Sequence, residues 1–202
     1  SNGGFFQLNY GENMECLLEG LVAIFEHIDG VPAEIWFDNT RTIVTKIIKG
    51  GGRNITERFQ RFCEHYRIKP VFMNPESGWE KGNVENKVGY LRRNHLVPIP
   101  RFKDLVEQNK QFLVCCETDM QREHYEDGNG RFICELFEED AAHLRPLPSI
   151  PFDTANYITA KTDKYGKFTL DAGKHCYSAS PAFCESIVNL KITSASVTVL
   201  DQ

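Results

Sequence analysis

Apolar positions along the first hundred residues alternate between the spacing of strands and that of helices. Residues 4–10, Gly-Phe-Phe-Gln-Leu-Asn-Tyr, are rich in aromatics and predict a strand. Met14, Leu17, Leu18, Leu21, Ile24, Phe25 and Ile28 fall three and four apart, one face of a helix, with Gly30 placed to stop it. Ile35-Trp36-Phe37 then predicts a short buried strand running into Asp38-Asn39. Beyond a Gly50-Gly51-Gly52 loop, Asn54 and Glu57 have the spacing of a capping box, and Ile55, Phe59, Phe62 and Tyr66 continue at helical intervals. Residues 69–73 predict another strand, ended by Asn74-Pro75. A loop at Glu76-Ser77-Gly78 opens a helix from about Trp79 to Arg93. Strand and helix alternating three times predict a layered α/β domain.

The pattern changes after Pro98 and Pro100. Leu105, Phe112, Leu113, Cys116 and Met120 form one helical stripe, expected to end near Asp127-Gly128. A shorter helix, roughly Arg131 to Leu144, precedes Arg145-Pro146-Leu147-Pro148, which has the composition of an extended linker. From Asn156 onward short runs are separated by turns at Tyr165-Gly166 and Ala172-Gly173, a pattern that suits a small β-barrel. The chain therefore divides into an α/β region over residues 1–100, a helical connector over 101–150 and a β module over 151–202.

Composition narrows the classes. The 202 residues are 41% hydrophobic and 25% charged, ordinary for a globular protein. No stretch approaches the roughly 18 continuous apolar residues of a membrane span, and the first residues lack the basic-then-apolar order of a signal peptide. Seven cysteines without a C-x-x-C pair argue against zinc and for small packed thiols in a reducing compartment, hence a cytoplasmic address. A net charge of −5 argues against a nucleic-acid partner, but its distribution does not. Residues 38–103 hold fourteen basic and six acidic side chains. Residues 1–37 hold six acids with no Lys or Arg, and 104–150 hold eleven acids against four bases. A basic block between acidic ones is what a phosphate-facing surface requires, and also what plain solvated helix faces give.

Two carboxylates carry the candidate chemistry. Asp38 stands where an apolar strand emerges, the place where open α/β sheets put functional groups. Glu85 lies on the helix after the third strand, sharing a face with Lys81 and Arg92, beside an apolar face of Val84, Val88 and Leu91. An acid on a basic face suits a divalent cation beside DNA phosphates. The plainer alternatives are a turn at Asp38-Asn39 and a Glu85–Lys81 ion pair. Cys63 and His65, two apart on a helix, do not face one another as ligands would. Trp36 reads as core, and Trp79 as loop packing or a base-stacking group.

The wording around these residues adds a resemblance. PAEIWFDNTRTIVTK (32–46) is similar to the second-aspartate segment of retroviral-integrase-like catalytic cores, and NPESGWEKGNVENKVGYLRRN (74–94) to their glutamate helix. Asp38 and Glu85 stand 47 positions apart, closer to the IstA transposases of bacterial insertion sequences than to retroviral integrases. HLRPLP (143–148) and HCYSAS (175–180) extend the resemblance over nearly the whole chain. It implies an RNase H-like integrase core of the DDE type, followed by the connector and barrel. In such a core three carboxylates hold two Mg²⁺ or Mn²⁺ ions about 3.5–4 Å apart. Asp38 and Glu85 would be two of the three catalytic, metal-binding carboxylates. Lys81, Lys87, Arg92 and Arg93 would contact DNA phosphates. The activity implied is DNA strand cleavage and strand transfer in transposition, with transposon-end and target DNA, a helper ATPase of the IstB type and a homo-oligomer on DNA as partners.

One departure matters. Nothing before Glu12 is acidic, so the first aspartate of the triad is expected upstream of this chain, which alone should neither cut nor join DNA. Rival readings are a metal-dependent nuclease of the same fold and a non-catalytic DNA-binding or assembly remnant.

Overall fold

The computed structural model describes residues 1–38, 42–47, 53–73, 78–125 and 130–200, with the side chains of 44–47, 53–54 and 78–84 excepted. The Gly50-Gly51-Gly52 loop, Asn39, the 74–77 loop and Asp127-Gly128 thus lie outside the described residues, as do the side chains of Lys81, Val84 and Trp79.

Helix α1 spans Met14–His27, and the Asn13 side chain accepts from Cys16 N at 2.9 Å to cap it. Its end is a Schellman turn in which Asp29, at φ 51°, takes the left-handed position. Gly30 N donates to Phe25 O at 3.0 Å and Asp29 N to Glu26 O at 3.4 Å. Gly30 has another reason to be glycine: a Cβ there would sit 2.7 Å from Leu144 Cβ. Strand β1 (Glu34–Phe37) follows, then a β2 (Val44–Ile47) and β3 (Arg53–Ile55) hairpin that the apolar pattern had not indicated. Asn54 belongs to β3, and the N-cap of α2 (Glu57–Tyr66) is Thr56, so the expected capping box does not form. Strand β4 (Lys69–Phe72) then pairs parallel with β1, Glu34 opposite Lys69 and Phe37 opposite Phe72.

The core of this region is largely aromatic. Phe59, Phe62, Cys63 and Tyr66 line the buried face of α2, and Phe37 meets Phe59 edge-on with centroids 5.1 Å apart. Phe25 of α1 packs on both Phe62 and Tyr66. Burial, helped by the charge of Glu64, pushes the Cys63 thiol up to about 12, so it behaves as a small hydrophobe. Trp36 corrects the sequence reading: it is 51% exposed, with Nε1 donating to Glu34 Oε1 at 2.7 Å. Strand alternation explains this, since Ile35 and Phe37 take the core face and Trp36 the opposite one.

Residues 4–10 form no strand. At Leu8 a side chain stands in for a neighbouring strand: Asn109 Oδ1 accepts from Leu8 N at 2.8 Å, and Asn109 Nδ2 donates to Leu8 O at 2.9 Å. The aromatics wedge between helices, Phe6 against Phe112 and His95, Phe5 against His27 and Phe137. Aromatic-rich composition gave the strand reading, but no strand among the described residues lies alongside to complete a ladder.

Helix α3 spans Gly78–His95 and α4 Leu105–Asp119, the latter capped by Asp104, whose carboxylate accepts from Val106 N and Glu107 N. The stripe Leu105, Phe112, Leu113, Cys116 and Met120 is buried throughout, as its spacing required. The expected docking face of α3 is narrower than read: Leu91 is buried, but Val88 is 42% exposed. The α4 helix also ends earlier than Asp127. The chain reverses there, with Ile133 N donating to Arg122 O at 3.0 Å and Cys134 N to Met120 O at 2.9 Å, and leads into α5 (Ile133–Ala141).

The Arg145–Pro148 segment is anchored to the α/β region. Val31 and Arg145 exchange two backbone hydrogen bonds of 2.9 Å, Arg145 donates to Ala33 O and Arg67 O, and Leu147 and Phe152 pack on the aromatic core. In the last fifty residues, β5 (Asn156–Lys161), β8 (Ile187–Ile192) and β9 (Val197–Leu200) form an antiparallel sheet, and β6 (Lys167–Leu170) pairs with β7 (His175–Ser178). Phe168 from the hairpin and Val188 and Leu190 from the sheet share one core. The expected closed barrel does not form among the described residues. Asp163 folds the chain tightly after β5, accepting from Tyr165 N and Lys167 N at 2.8 Å each, so β6 packs over the sheet instead of extending it. The architecture is mixed α/β with small sheets, and among the described residues no helix is long and apolar enough to cross a membrane.

Candidate metal and nucleic-acid site

Asp38 follows directly from the C-terminal end of β1 and is exposed. Phe37 O accepts from Met73 N at 3.0 Å, so β1 and β4 end side by side. The chain leaving β4 enters α3, where Glu85 lies on the solvent-exposed side, roughly 10 Å along the axis from Gly78 at 1.5 Å per residue. Both carboxylates therefore belong to segments that leave the same end of one parallel strand pair, the end where such sheets carry their functional groups.

Carboxylate oxygens are the donors that Mg²⁺ or Mn²⁺ takes, so the chemistry of the pair fits such an ion. Its number falls short of a complete three-carboxylate set. Among the described residues no three His, Cys, Asp or Glu side chains come together in a way that could hold a metal.

The basic residues of α3 separate into two kinds. Arg92 and Arg93 are exposed in the last turn, where cations also complement the helix dipole. Lys87 is turned inward, its side chain 13% exposed and its ammonium 3.3 Å from Asp119 Oδ2 on α4. Asp119 is the hub of this contact: Tyr90 OH donates to its Oδ1 and Arg122 Nε donates to the same oxygen at 3.3 Å. The Arg122 guanidinium lies over the Tyr90 ring at 4.8 Å. Burial pushes the Asp119 carboxyl up. The Tyr90 hydrogen bond and the charges of Lys87 and Arg122 outweigh it and hold the group below the usual carboxylate range. Tyr90 is pushed up, first by its hydrogen bond to Asp119 and then by burial.

Sequence reasoning missed this network. Lys87 and Tyr90 are three apart on α3 and so share a helical face, which was readable. That this face meets Asp119 at the end of α4, and Arg122 in the turn beyond it, was not.

No family model matches the chain. The chain is similar to a transposase of Aminobacter aminovorans, 33% identical over 185 residues, covering 92% of this chain and 36% of that protein. It is 28% identical over 140 residues to the transposase for insertion sequences IS1326/IS1353 of Pseudomonas aeruginosa, covering 69% of this chain and 27% of the relative. It is also 28% identical over 130 residues to the transposase for an IS21-like insertion sequence element of Bacteroides fragilis. The chain thus spans about a third of the length of the relatives it matches, and over that span it is similar to proteins named as transposases, two of them of bacterial insertion sequences.

Proposed function

We propose that this chain is part of the catalytic region of an IstA-like transposase with an RNase H-like, DDE-type core, acting in cleavage and joining of DNA strands during transposition. The observation that carries the reading is the parallel β1–β4 pair, from one end of which Asp38 and the Glu85 helix both emerge. Homologues named as transposases support the coarser part of the reading, a role in transposition.

In this reading Asp38 and Glu85 hold a divalent ion together with a third carboxylate from outside the described residues. Mg²⁺ or Mn²⁺, when bound, would supply charge stabilisation at the scissile phosphate. Arg92 and Arg93 bind phosphates of the DNA backbone through planar guanidinium groups, and Lys81 adds a point charge one turn before Glu85. Lys87 acts as a positioning residue, fixing α3 on α4 through Asp119. The β module and a second copy of the protein help to hold transposon-end DNA, and a helper ATPase of the IstB type delivers the target.

The test uses the complete protein, transposon-end DNA and a target plasmid, with nicked and joined products followed separately. Asp38→Asn or Glu85→Gln should each lower both products by about a thousandfold or more while leaving end binding intact. Activity within a few-fold of wild type in either variant would refute the assignment. Nicking without joining in the unaltered protein would identify a nuclease.

A further inference from the structure

A second feature lies along α3, where the residues following Glu85 turn toward the end of α4. Asn2, Asn86, Lys87, Tyr90, Arg93, Arg122 and Tyr125 enclose an open cleft of about 330 Å³. Three of its lining side chains are cations, against which Asp119 provides one carboxylate, buried beneath Lys87, Tyr90 and Arg122. Among the described lining side chains and Asp119, positive charge therefore exceeds negative.

Two of the cations, Lys87 and Arg122, are held in place by Asp119 before any ligand arrives. Arg122 is fixed by its Nε bond to Asp119 and by the Tyr90 ring beneath its plane. Arg93 lies back over Gly89, where a Cβ would stand 3.1 Å from its Nη1. Among the described residues Arg93 has no carboxylate within ion-pair distance. Fixed guanidinium groups bind phosphate with less ordering cost than mobile lysines do. At the rim stands Tyr125, 63% exposed, its ring stacked on His124 at 5.3 Å and an interplanar angle of 16°. A flat, braced, solvent-exposed aromatic ring beside a phosphate-sized cationic floor is the combination that binds an unstacked base.

We propose that this cleft holds one unpaired nucleotide of a DNA strand, its phosphate on Arg93 and Arg122 and its base on Tyr125. The inference rests on the DNA-handling role proposed above and adds a site within it. Asn86 is placed to bond the sugar or base edge, and Lys87 contributes charge from the floor. The shared chemistry, a phosphate with its adjoining base, could also come from a free nucleotide, and the test separates the two sources.

The experiment measures equilibrium binding by the complete protein, in EDTA so that catalysis is silent. The probes are a labelled blunt duplex and the same duplex with three unpaired nucleotides at one end. Tyr125→Ala should weaken binding of the overhang duplex by about 5- to 150-fold and leave the blunt duplex within twofold. Arg93→Ala should weaken the overhang duplex about tenfold and lower the slope of log affinity against log salt by about one. Lys110→Ala, on exposed α4 surface, should change neither. Circular dichroism checks that these surface variants fold. Tyr125→Ala affecting both duplexes equally, or neither, overturns the proposal, as does saturable micromolar binding of deoxyadenosine monophosphate that DNA does not displace. Failure of the unaltered protein to bind either duplex would instead remove the DNA-handling reading on which the proposal rests.

Discussion

Asp119 is a carboxylate of which only 8% of the side chain is exposed, joined to two cations and a phenol. Removing its carboxylate leaves the largely buried Lys87 ammonium without its ion-pair partner. Asp119→Asn should therefore cost roughly 2–3 kcal/mol of stability in denaturant unfolding, below the value for a fully buried pair because Arg122 reaches solvent. The pH dependence follows from its lowered folded pKa. The contribution is complete at pH values above the ordinary carboxylate value of 3.8, and is lost as pH falls through that value and then through the lower folded one. The stability gap between wild type and Asp119→Asn should accordingly narrow on acidification below about pH 4. A gap that widens there would contradict the network. Sequence reasoning reached Lys87 as a basic residue of α3, but its partner is 32 positions away on α4, a separation over which no local pattern acts.

Element by element, legibility followed the strength of the local signal. The α4 stripe was readable because five apolar residues on one face leave little freedom, and the end of α1 because a left-handed turn must follow it. The apolar pattern assigns the stop to Gly30, whereas Asp29 takes the left-handed position and Gly30 admits Leu144. Gly30→Ala should consequently cost about 1–3 kcal/mol through overpacking. Leu144→Ala in the same chain should recover part of that loss, which a backbone-strain origin at Gly30 would not allow. The aromatic 4–10 segment was misread because strand propensity reports how side chains pack, and here Phe5 and Phe6 pack against helices. The Asp38 and Glu85 segments were recognisable from their wording, whereas the tight Asp163 turn that leaves the β module unclosed acts through one side chain that composition does not single out.

Across the whole molecule, long-range polar contacts tie the three sequence regions together. Glu19 of α1 accepts from Ser194 N at 2.9 Å and from its hydroxyl, linking the β8–β9 turn to the α/β region. Arg58 reaches both Glu15 and Thr154 O, fastening the segment before β5 to α1 and α2. Glu19→Ala should raise hydrogen exchange at Ser194 and its neighbours and lower stability by about 1–2 kcal/mol. Unchanged exchange there would mean that the β module is held by other contacts. The central claim concerns Asp38 and the α3 helix, which leave one end of a parallel strand pair. It is tested most directly by a crystal structure of the complete protein grown with Mn²⁺, with the ion located by its anomalous scattering. The account predicts an Mn²⁺ peak with carboxylate oxygens of Asp38 and Glu85 in its coordination sphere, the two carboxyl groups within roughly 4–8 Å of each other. Carboxyl groups more than about 15 Å apart in an ordered core, with Mn²⁺ bound elsewhere, would contradict it.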